Sequence, residues 1–115
     1  MNKMNKKDIF QILLDQHNEV EDLKAFILFN QDHNGDMEKR ESLSTARFQQ
    51  QCAIRNSARM LLGDKMYEQF YPSCKTITQT SWYKTRKFNH DGTALTEGQI
   101  NVRDWAIARD AERAA

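Results

Sequence analysis

Ile9, Leu13, Gln16, Val20, Leu23 and Ile27 recur at steps of three and four, and Phe10, Ile12 and Leu28 widen the same stripe. That period puts them on one side of an α-helix. Asp8 is a suitable N-cap, and Asn34 with Gly35 tolerates the left-handed backbone of a helix end, so a first helix is expected over about residues 8–30. A second is expected from Met37 to Leu62, where Leu43, Ala46, Gln50, Ala53, Ile54, Ser57, Ala58 and Leu61 share a face and Gly63 follows as a stop. Small side chains on that face let a neighbouring backbone approach, which predicts an antiparallel hairpin of the two helices. Phe48, Cys52, Arg55 and Arg59 then fall on the other side, facing outward.

The pattern weakens beyond Gly63. Asp64 can cap a short helix that turns Met66, Tyr67, Phe70 and Tyr71 inward and ends at Pro72. Thr76 to Thr80 has strand-like composition, yet Ser73 can also cap a helix reaching Arg86, and the helix is the preferred reading. A last helix over about 98–114 carries Ile100, Ile107, Ala111 and Ala114 on one side, with Val102, Trp105 and Ala106 elsewhere, as in a sandwiched or partner-binding helix. The expected class is mainly α: one domain over 1–115 of four to five helices, opened by the hairpin, with room for a short β segment near 75–95.

With 115 residues the chain can close one core, and a mean hydropathy of −0.82 implies that the core is lean. The net charge of +1 gives no general pull towards nucleic acid or membrane, so any electrostatic footprint is local. No signal peptide is expected, because Gln11, Asp15 and Gln16 interrupt the apolar run after the basic start. The longest apolar run, Ala25 to Phe29, is too short to cross a bilayer. Cys52 and Cys74 are expected as reduced thiols of a cytoplasmic protein.

The segment between the first two helices, Asn30 to Glu41, places Asp32, Asn34, Asp36 and Glu41 at the oxygen-donor positions of a calcium loop and Gly35 at its sharp bend. In this it resembles an EF-hand, and the resemblance implies calcium ligands at Asn30, Asp32, Asn34, Asp36 and Glu41. The match departs from the family at Asn30, where a carboxylate is usual, and at Ser42, where an apolar residue usually follows the last ligand. The favoured reading is a plain turn in which Gly35 ends one helix and Asp36 caps the next.

Cations alternate with rings through Phe70, Tyr71, Lys75, Trp82, Tyr83, Lys84, Arg86, Lys87 and Phe88. Phosphate contact and base stacking use such groups, and two helices about Pro72 would resemble a helix-turn-helix with a basic second helix. No catalytic set emerges: His17, His33 and His90 with Cys52 and Cys74 lack zinc-ligand spacing, and the His33-Asn34 and Asn89-His90 pairs have nothing between them to organise a metal. The expected function is therefore non-enzymatic and without cofactor, a small helical protein that occupies a surface of another macromolecule. Its expected contacts are Phe48, Arg55, Arg59, Trp82, Tyr83, Lys84, Arg86 and Lys87. Size and high Asn and Gln content suit an accessory or inhibitor protein of a bacterium, its phage or another mobile element. A protein partner is expected first and nucleic acid second, homodimerisation is left open, and a degenerate calcium-binding hand is the third alternative.

Overall fold

The computed structural model describes residues 4–31 and 36–114, and it is mainly α-helical. Helices α1 (Lys6–Phe29) and α2 (Met37–Leu62) make the most extensive contact, followed by α3 (Asp64–Ser73), a 3₁₀ turn (Ile77–Gln79), the short α4 (Ser81–Lys84) and α5 (Glu97–Ala114). Pairings run from Ile27 with Arg40 to Glu21 with Gln51, one index falling as the other rises, so α1 and α2 are antiparallel. Asn5 rather than Asp8 caps α1, accepting a hydrogen bond from the Asp8 amide. Asp36 caps α2 through the Lys39 amide, and Gly63, at φ +83°, ends it.

The hairpin is as expected, but its contact faces are turned by about one residue from the apolar pattern. On α1 the inward row is Phe10, Leu14, His17, Glu21 and Ala25, while Gln16, Ile12 and Leu23 are exposed. On α2 the buried residues are Arg40, Gln51, Ala58 and Leu62, whereas Ala46, Gln50, Ala53, Ser57 and Leu61 face out. The physical reason is a polar ladder inside the seam. Gln51 donates to Glu21 (2.6 Å), Lys24 pairs with Glu21 (3.1 Å), and Lys24 also donates to Gln51 (3.1 Å). Satisfied in this way, polar side chains can occupy buried positions that hydrophobicity alone would assign elsewhere.

Apolar packing concentrates at the far end of the hairpin, where Ala58, Leu62 and Phe70 are buried with Ile9, Phe10, Leu13, Leu14 and Ile54 around them. Phe10 meets Phe70 edge-on (5.4 Å), and Tyr67 stacks on it at 6.0 Å. Tyr71, expected to point inward, is largely exposed on α3.

The stretch expected to be helical from Ser73 to Arg86 is instead a 3₁₀ turn followed by one turn of α-helix. β-branched Thr76, Ile77, Thr78 and Thr80 are poor helix formers, and their hydroxyls compete for the backbone. Thr76 and Gln79 close a capping box around the 3₁₀ turn, and Thr80 caps α4 by accepting from the Tyr83 amide. Among the described residues the β content is one isolated antiparallel bridge, Phe88 with Ala94.

Candidate functional site

The carbonyls at the end of α1 organise one side of the molecule. Arg40, 2% exposed, donates through Nη1 to Ile27 O (3.0 Å) and Leu28 O (2.7 Å), while the Lys87 and Phe88 amides donate to Phe29 O (2.9 and 3.3 Å). Carbonyls that the helix leaves unpaired thus find partners from α2 and from the chain after α4, and the arginine charge complements the helix C-terminus. Phe88 lies under the Arg40 guanidinium at 5.6 Å. Gly92, at φ +83°, brings the 88–94 turn so close that a Cβ there would sit 2.9 Å from Met37 Sδ.

The expected contact residues separate into two groups. Phe48, 48% exposed, shares a groove of about 310 Å³ with Lys24, Leu28 and Ile77, under cations from Lys24 (5.9 Å) and Arg55 (5.7 Å). Arg59 is exposed and stacks on Tyr67 at 4.6 Å. Arg55 departs from the outward stripe: it is half-buried, lies over Tyr71 at 5.7 Å and donates to Cys52 Sγ at 3.4 Å. Neither arginine has an ion pair among the described residues.

The second group covers the end of α1. Trp82 packs edge-on against Phe26 (4.9 Å) and Tyr83 against Phe29 (5.2 Å), so both rings are partly structural. Phe26 lies two residues from both Lys24 and Leu28, roughly the far side of α1 from the Phe48 groove. Lys84 pairs with Asp110 (3.0 Å), Arg86 stacks on Tyr83 (4.4 Å) and donates to its carbonyl, and Lys87 is exposed.

No protein-family model, curated protein or solved structure matches this chain.

Beside the second group stands α5, which the site expected from sequence omitted. It is held by polar links: Arg103 donates to Arg86 O (2.8 Å), Asp110 pairs with Lys84, and the Gln99 and Asn89 amides exchange hydrogen bonds (3.0 and 3.3 Å). At 100° per residue these links share one face of α5. Ile100, Ile107, Ala111 and Ala114 line one flank, and Val102, Trp105 and Arg109 the other, with Arg109 stacked on Trp105 at 5.0 Å. The two apolar flanks were legible as two incomplete apolar faces in the sequence.

The central residues of the calcium-like loop, Asp32, His33, Asn34 and Gly35, lie outside the described residues. Asn30 follows α1 as its C-cap, the Asp36 carboxylate caps α2, and Glu41 lies inside α2 and is exposed. Among the described residues no three His, Cys, Asp or Glu side chains gather as a metal site. A hollow of about 690 Å³ lies between Tyr83, Arg86, His90, Asp91 and Gln99, where Arg86 donates to the Tyr83 carbonyl and Gln99 exchanges hydrogen bonds with Asn89. There Asp91 accepts from Thr93 Oγ1 (2.6 Å) and the Thr93 amide (3.0 Å), bonds that hold its carboxyl below the usual range.

Proposed function

We propose that this is a non-enzymatic binding protein that acts by occupying a surface of another protein, and that α5 with the adjoining α4 segment is the surface it presents. The observation that carries this reading is an 18-residue helix without a buried residue, on which Val102 is 63% and Trp105 61% exposed. A tryptophan can bury 150–250 Å² or so of surface, and aromatic and arginine side chains dominate the energetic centres of interfaces. Trp105 under Arg109, with Val102 on the same flank, has that composition.

Nucleic acid has weaker support. Lys84 and Arg86 are engaged within the chain, and a four-residue α4 offers no recognition helix for a groove. Free Cys52 and Cys74 fit a reducing, cytoplasmic setting, and an accessory or inhibitor role fits a chain of this size.

The test is affinity capture with the full chain, with a Val102→Asp and Trp105→Asp double variant, and with Arg59→Glu as a distant control. Capture lost only in the double variant supports the reading. Equal capture by all three, or capture abolished by nuclease treatment, contradicts it.

A further inference from the structure

His17 is the residue of the seam that the polar ladder leaves over. It is 2% exposed, and neither ring nitrogen has a hydrogen-bond partner among the described residues. Leaving both unmade in a folded core is costly, and such buried groups call for an explanation. His17 lines a cleft of about 290 Å³ between α1, α2 and the end of α3, together with Glu21, Arg55, Tyr71, Cys74 and Lys75.

The charges around this cleft can be accounted for one by one. Glu21 is matched by Lys24 (3.1 Å) and held by Gln51, and Lys75 is matched by Asp22 (3.2 Å). Arg55 is left with a thiol contact to Cys52 and two aromatic neighbours, so one cation in the wall is uncompensated. Its planar fork matches a carboxylate through two parallel hydrogen bonds. Tyr71 and Pro72 form an apolar rim, and the Cys74 thiol, which donates to Phe70 O at 3.5 Å, is pushed up by burial and stays neutral.

We propose that this cleft binds a small monocarboxylate with an apolar body, its carboxylate on the Arg55 guanidinium and its apolar part against Tyr71 and Pro72, with the buried His17 ring in the wall reporting its arrival. One uncompensated cation matches one negative charge. A phosphate dianion brings a second negative charge, for which the wall has no free cation. This site is separate from α5, and neither proposal depends on the other.

Imidazole nitrogen signals of ¹⁵N-histidine-labelled full-length protein report on it directly. Titration with benzoate should move the His17 signals saturably while those of His90 stay in place, acetate should bind more weakly for want of an apolar body, and inorganic phosphate should give no saturable change. Arg55→Lys keeps the charge but loses the fork, and should weaken benzoate about tenfold or more with an unchanged circular dichroism spectrum. Tyr71→Ala, at an exposed position, should weaken benzoate and leave acetate unaffected. A His17 signal that does not respond to benzoate, or that saturates with phosphate at least as tightly, overturns the proposal, as does unaltered benzoate affinity in Arg55→Lys.

Discussion

Arg40 is the side chain on which the end of α1 depends most. Its Nη1 serves two carbonyls, and a neutral replacement leaves the buried one of Ile27 and the part-buried one of Leu28 without that donor. Arg40→Met should destabilise the fold by roughly 2–4 kcal/mol, read as a lower denaturation midpoint in urea. Gly92→Ala meets a positive φ and Met37 Sδ, and Gly63→Ala meets φ +83° with ψ 163°, a region essentially confined to glycine; each should cost about 1 kcal/mol or more. Burial, and then the nearby Arg55 charge, hold the His17 imidazole below its ordinary value. The unfolded chain therefore binds a proton first as pH falls past about 6.5, the ordinary histidine value, and stability drops from there down to the folded value, below which the loss levels off. Chemical denaturation across pH 5 to 8 should show this slope, and His17→Phe should reduce it. Arg40, Glu21 and Gln51 were hidden in the sequence because they look like solvated positions until a partner for each is known.

At the scale of elements, the long helices and their ends were legible: α2 falls on its expected limits, and α5 begins one residue early. Periodicity survives local noise over six or seven turns, and Gly63 leaves little choice of where to stop. The 73–86 stretch was not legible, because its outcome turns on hydroxyl caps at Thr76 and Thr80 that compete with the helix itself. Of the expected contact residues, Phe48 and Arg59 are exposed and Arg55 is drawn half inward, while the surface proposed above lies on α5, which periodicity marked only by its two incomplete apolar faces. Because three polar links and little apolar burial hold α5, its amides should exchange with solvent well before the central turns of α1 and α2. Hydrogen exchange read by mass spectrometry checks this, and Arg103→Ala should speed exchange in α5 further. Protection of α5 equal to that of α2 would show that it is anchored more firmly than these contacts allow.

The whole molecule is extended. Its radius of gyration is 16.9 Å with extents of 53 × 40 × 25 Å, against about 13 Å for a compact domain of this length. Among the described residues no helix is long and apolar enough to cross a membrane. The extension places Trp105 and Val102 where another protein can reach them without disturbing the Phe70 core. The most direct test puts a photo-crosslinking residue at position 105 of the full chain, and in a separate variant at exposed Ile12, in the cells that make the protein. A discrete adduct with one other protein from position 105, absent from position 12, is the predicted result. The same adducts from both positions, or none from position 105, would contradict α5 as the surface through which this protein acts.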